Sequence, residues 1–337
     1  MTTIATMRAI QLSEPGPVEH LSLRELPLPV PPPGWVRIAV HAFGLNRSEL
    51  HTRLGLAEGV TFPRVLGIEC VGVIDDPGDS ELRAGQQVAT MMGGMGRAFD
   101  GGYATHTVVP RAQAIPFQST LPWEVLGAIP ESLQTAYGSL TTGLDLQTGQ
   151  TLLIRGGTSA LGMITTTLAK RMGATVFATT RRSERRDALL AHGVDQVIID
   201  TGAIAPAVRA LLPTGVHAAL ELVGTPTLRD TLAATAVHGT VCFTGMLSNA
   251  WTVPDFYPIG FIPNGVRLTA YGGASSDLPA TVLQQFLDEL ASGIVHLQPA
   301  RVYPMHEAAV RQAHDDMEHN RGVGKLVVRV TEHDADS

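Results

Sequence analysis

Apolar and polar residues follow two different rhythms along this chain. In the first third, short apolar runs are separated by turn residues. Met7–Gln11, Leu21–Arg24, Trp35–Phe43, Val65–Ile74, Gln87–Met91 and Thr105–Val109 read as strands, punctuated by Pro15-Gly16-Pro17, Pro27–Gly34, Asp76-Pro77-Gly78, Gly93-Gly94 and Gly101-Gly102. Prolines at that density fix φ and remove donors, which excludes helix and predicts a barrel-like β domain. From Thr151 onward strands and helices alternate. Thr151–Arg155, Thr175–Thr180, Asp195–Asp200, His217–Val223 and Thr240–Gly245 read as strands, and Met163–Met172, Ala203–Leu212 and Pro226–Ala234 as helices between them. That β-α repetition predicts a doubly wound parallel sheet. Pro122–Leu144 is helical in pattern. Beyond the sheet come a strand-like Val266–Tyr271, helices at Pro279–Ser292 and Met305–Glu318, and a last strand at Lys325–Val330 that is expected to rejoin the first domain.

The first strand of the repeating half runs into Gly156-Gly157-Thr158-Ser159-Ala160-Leu161-Gly162, and these residues are candidate dinucleotide-binding positions. Small residues in such a turn let a backbone approach a pyrophosphate at a helix N-terminus. The spacing lacks the middle glycine of the common fingerprint, so the turn depends on its βαβ context for this reading. The alternative is a parallel sheet without a ligand. The second strand ends at Thr180 and is followed by Arg181-Arg182-Ser183-Glu184-Arg185. A carboxylate at this tip would suit the ribose 2′-hydroxyl of NAD, whereas arginines and a serine suit a 2′-phosphate, so Thr180, Arg181, Arg182, Ser183 and Arg185 point to NADPH. A solvated charged turn is the competing interpretation.

With 337 residues, 44% of them hydrophobic, the chain has the material for about two domains. Its net charge of -7 offers no general attraction to nucleic acid or to anionic membranes. Two cysteines, Cys70 and Cys242, exclude a disulfide framework. No apolar span suggests export or anchoring, so a cytoplasmic protein is expected, with its acidic tail Thr331–Ser337 frayed.

The motifs Gly44–Gly55 (Gly-Leu-Asn-Arg-Ser-Glu-Leu-His-Thr-Arg-Leu-Gly), Phe62–Glu69, Gly101–Ala104, Thr135–Tyr137, Gly156–Gly162, Glu221–Gly224 and Gly322–Lys325 together resemble the zinc-independent, quinone-oxidoreductase-like branch of the medium-chain dehydrogenase/reductase superfamily. The resemblance implies an α/β architecture, with a GroES-like β-barrel catalytic domain and a Rossmann doubly wound parallel sheet, and the nicotinamide between them. Domains are expected at 1–123, 124–264 and 265–337, the last returning to the catalytic domain and containing a dimer-edge strand at 266–271. The zinc branch needs cysteine and histidine ligands. Asn46 and Ile68 stand at two of those places, so no metal is expected. The His306, His314 and His319 stretch reads as a solvated helix face.

The resemblance further implies coenzyme contacts by Asn46, Thr135, Leu222, Val223, Phe243, Thr244, Gly245 and Lys325. It implies catalytic roles for Asn46 and for His51, which replaces a common tyrosine. Asp200 stands where relatives tend to carry a tyrosine beside the adenosine. Met91, Met92, Met95 and Tyr103 are candidates for the wall of a planar substrate site, with core packing as the alternative for the methionines. The expected activity is NADPH-dependent reduction of a small quinone or enone by a homodimer. The alternatives are a carbonyl reductase or alcohol dehydrogenase, or a non-catalytic NADP(H)-binding redox-sensing or structural protein.

Overall fold

The computed structural model describes residues 5–331, and residues 332–337 of the expected frayed tail lie outside them. The chain divides into two compact units: one runs to Glu131 and resumes at Ala274, and the other is Ser132–Gly273.

The second unit is a six-stranded, all-parallel sheet. Its order is Gln196–Ile199, Thr175–Thr180, Thr151–Arg155, Val216–Glu221, Thr235–Phe243 and Arg267–Ala270. Numbered along the chain this is 3-2-1-4-5-6, the doubly wound order in which carboxyl ends of the strands converge where the direction of winding reverses. Thr151–Arg155 is buried along its whole length, as a strand covered on both faces must be. Leu153, Ile198, Ala219, Leu232 and Val241 fill the core on one side. The strand at 267–270, grouped by sequence with the C-terminal return, is the sixth strand of this sheet and stays with this unit.

The first unit is β-rich. Trp35–Gly44 is its central strand, pairing antiparallel with Glu69–Asp76, His106–Pro110 and the C-terminal Leu326–Arg329. A smaller sheet joins Leu21–Pro27, Thr6–Leu12 and Arg64–Val65. The single strand expected over Val65–Ile74 is broken, because Gly67 has φ +105° and a Cβ there would lie 2.8 Å from the Gly102 and Tyr103 amides. The helix expected over Pro122–Leu144 is also interrupted, into Trp123–Leu126, Pro130–Gly138 and one wide turn at Ser139–Gly143. Sequence periodicity missed the short helix Arg47–Arg53 and the strand Arg301–Pro304, which pairs parallel with Leu326–Arg329.

Each unit encloses one cysteine: Cys70 in the first and Cys242 in the second are free thiols, and burial pushes both up in pKa. The barrel core also buries His314, expected on a solvated helix face. It is fully buried on the Glu307–Glu318 helix, edge-on to Tyr103 at 5.8 Å, and neither ring nitrogen has a hydrogen-bond partner among the described residues.

Burial, and secondarily the nearby Arg53, hold the His314 imidazole down to about 3, against an ordinary 6.5. The unfolded chain therefore takes up a proton as pH falls through 6.5 while the folded chain does not. Stability is complete above about pH 6.5 and declines toward pH 3, by up to about 1.4 kcal/mol per pH unit from this residue. Thermal melts from pH 7 to pH 4 should show a shallower decline for His314→Leu than for the wild type. Parallel profiles would refute the burial argument.

Candidate functional site

The Gly156–Gly162 turn connects the first parallel strand to the helix Ala160–Arg171, which begins three residues earlier than the sequence suggests. Each glycine has a separate steric reason. Gly156 adopts φ +98°, a Cβ on Gly157 would meet Ala178 Cβ at 2.8 Å, and one on Gly162 would meet the Gly156 and Gly157 carbonyls at 2.7 Å. Ser159 occupies the place of the missing middle glycine and caps the helix: its Oγ donates to Gly156 O at 2.8 Å and accepts from Gly162 N at 3.0 Å. The Gly156 and Gly157 amides donate to Thr179 Oγ1 and Thr179 O, both at 3.0 Å, locking the turn to the second strand. The first-turn amides of Ala160 and Leu161 remain to face an anion, because a helix cannot satisfy its own first N–H groups.

Around this turn the parallel sheet brings the other expected residues of the second unit to its carboxyl edge. Thr180 ends the second strand, and its hydroxyl accepts from Arg182 N at 3.2 Å. Arg181, Arg182 and Ser183 are exposed, while half-buried Arg185 reaches Thr158 Oγ1 at 3.5 Å. Burial first, and then the neighbouring guanidinium of Arg182, lower the Arg185 pKa, with Glu184 partly opposing them. Leu222 and Val223 lie against the Phe243-Thr244-Gly245 segment: Thr244 N and Gly245 N donate to Glu221 O, and Leu247 N to Leu222 O. Thr135 is buried and bonds Gln134, and Ser139 pairs with Thr244 at 3.0 Å.

Beneath them lies an ionic network whose central residue, Arg155, sequence reasoning did not single out. Arg155, fully buried at the end of the first strand, grips Asp200 with Nε at 2.9 Å and Nη2 at 3.0 Å, and reaches Asp230 with Nη1 at 2.7 Å. Glu221 accepts from the Val223 and Gly224 amides and from Thr227 and Thr231. Burial alone would lower the Arg155 pKa, but the surrounding carboxylates, Asp200 first, hold it above the ordinary value. The available signal was a charged residue terminating each of two otherwise apolar strands.

The remaining candidates belong to the first unit. Asn46 precedes the Arg47–Arg53 helix, and Glu49 accepts from Asn46 N at 2.9 Å and from Ile68 N at 2.8 Å. The Asn46 amide Nδ2 donates to Glu69 Oε1 at 2.9 Å, and Asn46 Oδ1 accepts from Lys325. Lys325 pairs with Glu69 at 2.6 Å and Glu131 at 3.2 Å. A Cβ at Gly44 would collide with both Glu69 and Lys325. The carboxylates and ammonium bond Asn46 at both ends, and Lys325, expected to contact the coenzyme, is paired with buried carboxylates.

His51 sits on the Arg47–Arg53 helix, with 6% of its surface exposed. Tyr103 is fully buried, stacked on Phe43 at 4.5 Å, and Met91 and Met95 are also core residues. Of these four substrate-wall candidates only Met92, at φ +61°, is partly exposed.

Two family models match the chain: an alcohol dehydrogenase GroES-like domain over residues 32–119 and a zinc-binding dehydrogenase over residues 160–289. Rat (Rattus norvegicus) quinone oxidoreductase is 26% identical over 333 residues, covering 96% of this chain and 97% of that protein. The lovastatin diketide synthase mokB of Monascus pilosus is 33% identical over 165 residues, 47% of this chain, which there correspond to 6% of a much longer protein. A mycobacterial protein, Rv1454c, solved in complex with NADPH, superposes with a TM-score of 0.84 at 25% identity, covering 96% of this chain and 99% of that one.

The buried cluster of the first unit carries a pH signature. Burial raises the Glu49 carboxyl from 4.5 to about 7 in spite of its backbone hydrogen bonds. Its contribution to stability is present below pH 4.5 and is lost as pH rises through about 7, because the unfolded chain releases a proton that the folded chain retains. Glu49→Gln should flatten the stability profile between pH 5 and pH 8. Lys325→Met, which leaves Glu69 and Glu131 without their cation, should cost about 3–5 kcal/mol by denaturant unfolding. A cost below about 1 kcal/mol would show that the cluster is not held by charge.

Proposed function

Since the chain belongs to the medium-chain dehydrogenase/reductase superfamily, in its quinone-oxidoreductase-like branch, we propose that it is an NADPH-dependent reductase of quinones or α,β-unsaturated carbonyls that works without zinc. The observation that carries this reading is the glycine cradle of residues 156–162 set beside Arg181, Arg182 and Arg185. A Cβ at Gly157 would meet Ala178 and one at Gly162 the turn's own carbonyls, so only glycine lets the turn pack this closely, and the second strand ends in Thr180 followed by arginines and not in a carboxylate. The mycobacterial neighbour solved with NADPH supports the same coenzyme.

The bound nicotinamide supplies a hydride for conjugate addition; the chain's own residues orient and stabilise. Ala160 and Leu161 present helix-terminal amides to the pyrophosphate, and Arg181 and Arg182 provide charge-assisted donors for the 2′-phosphate. Leu222, Val223 and the Phe243–Gly245 segment, with Thr135, hold the nicotinamide end. In the first unit His51 donates a hydrogen bond or proton to the carbonyl oxygen on which charge develops, and Asn46 anchors the start of the helix that carries it.

Zinc does not fit the residues present. Ile68 is an apolar side chain at a ligand position, Asn46 is bonded at both ends, and Lys325 already supplies the cluster with a cation. The functional form is a cytoplasmic homodimer joined at the edge strand Arg267–Ala270. The same unit exposes Val237, Trp251, Phe256, Tyr257 and Ile259, an apolar set suited to burial against a second copy. Among the described residues no helix is long and apolar enough to cross a membrane.

NADPH should be oxidised in the presence of quinones or enones, with activity retained in chelator and no stoichiometric zinc by elemental analysis. Saturable NADPH binding without turnover across the panel would leave a binding protein. NADPH should bind more tightly than NADH by roughly tenfold or more, and Arg181→Ala with Arg182→Ala should remove that preference, each lost charge-assisted bond being worth about 1.5–3 kcal/mol. His51→Ala should lose kcat if His51 is the proton donor; a raised KM with kcat retained would reduce it to cleft lining. Light scattering should give twice the monomer mass.

A further inference from the structure

The geometry points to Arg155 and Asp200 as a pair that determines coenzyme specificity: Arg155 withdraws the Asp200 carboxylate from the basic cluster and so leaves Arg181 available to a 2′-phosphate. The inference rests on the NADPH reading and extends it to residues that do not themselves touch the coenzyme.

The register of the sheet makes these residues neighbours. Thr180 pairs with Ile199, so the next residues on the two parallel strands, Arg181 and Asp200, emerge side by side, and Asp200 N donates to Thr180 O at 2.8 Å. An aspartate in this place has two competing partners, the exposed guanidinium of Arg181 and the buried one of Arg155. The structure commits it to the second. Arg155 binds both Asp200 oxygens, Gly202 N donates to Asp200 Oδ1 at 2.9 Å, and Arg155 Nη2 donates to Gly202 O at 3.1 Å. The carboxylate is thereby turned inward, with 7% of its side chain exposed. Arg155 is fixed in turn by Asp230, Thr231 Oγ1 and Thr227 O, and Asp230 by the Ile204 and Ala205 amides.

The charged groups around Asp200 are thus Arg155, Asp230 and Glu221 on the buried side and Arg181 on the exposed side. Released from Arg155, the carboxylate would both capture Arg181 and repel a phosphate dianion. It would act on the 2′-phosphate and leave a ligand without that group almost unaffected.

The test is calorimetric binding of 2′,5′-ADP and of 5′-ADP to the full chain, which reads the 2′-phosphate contribution without turnover. Wild type should prefer 2′,5′-ADP. Arg155→Lys keeps a cation but cannot span Asp200 and Asp230 together, and should reduce the preference roughly tenfold while 5′-ADP affinity stays within about twofold. Adding Asp200→Asn to Arg155→Lys should restore the preference. Asp200→Asn alone, which leaves Arg155 its Asp230 pair and serves even if Arg155→Lys does not fold, should keep the preference within about threefold, because the charge removed is already balanced.

Equal weakening of both probes by Arg155→Lys, an unmoved preference, or failure of Asp200→Asn to restore it would overturn the inference. So would a gain of about tenfold or more in Asp200→Asn alone, which would mean that the carboxylate already acts on the phosphate. A wild type that binds both probes equally would overturn the NADPH reading itself, whereas a wild-type preference that survives Arg155→Lys overturns only this step.

Discussion

The carboxyl edge of the parallel sheet depends on one buried cation. The Arg155 guanidinium bridges the Asp200 side chain after the third strand, the Asp230 side chain on the helix Thr225–Ala234, and the carbonyls of Gly202 and Thr227. Without it, carboxylates drawn out of water would face one another with no counter-charge, which costs far more than an exposed ion pair returns. Because Arg155 immediately precedes Gly156, the same interaction that holds strand ends and helix starts together also sets the entry to the glycine turn. Sheet topology brings those ends together, and electrostatics determines how they meet.

The first unit solves a comparable problem with a lysine. Asn46 and Glu49 come from one helix start, Glu69 from a strand and Glu131 from another helix, and Lys325, 279 residues beyond Asn46, closes the set. The absence of a side chain at Gly44 leaves room for the Glu69–Lys325 pair, and the C-terminal strand Leu326–Arg329 brings the lysine into place by pairing with Trp35–Gly44. A charge pair that must satisfy hydrogen bonds as well as Coulomb attraction tolerates few geometries, so each cluster fixes a backbone register that apolar packing alone would leave looser.

Much of this architecture was legible in the sequence. Apolar runs and glycine punctuation located the parallel strands, the glycine turn after Arg155 and the barrel strands, and Arg181, Arg182 and Arg185 follow directly on the second parallel strand. What escaped were features decided by long-range partners. Arg155 and Glu221 look like ordinary charges at strand ends until the fold encloses them. Helix Arg47–Arg53 is too short to show a period and starts with a backbone-to-Glu49 bond. His314 lies on an amphipathic helix among charged residues, and only the barrel shows that it points inward. Motif resemblance placed Asn46, Lys325 and Tyr103 in a site but could not show that their polar and aromatic groups were already committed to one another or to the core.

The two cysteines acquire significance in light of the proposed substrates. Quinones and enones are electrophiles, and a thiolate adds to them without help, so a protein that handles them is exposed to self-inactivation at every turnover. Cys70 and Cys242 are enclosed in separate cores, and burial keeps both as neutral thiols, which are poor nucleophiles. The packing that builds each core therefore also confers chemical durability against alkylation by electrophiles of the class proposed as substrates.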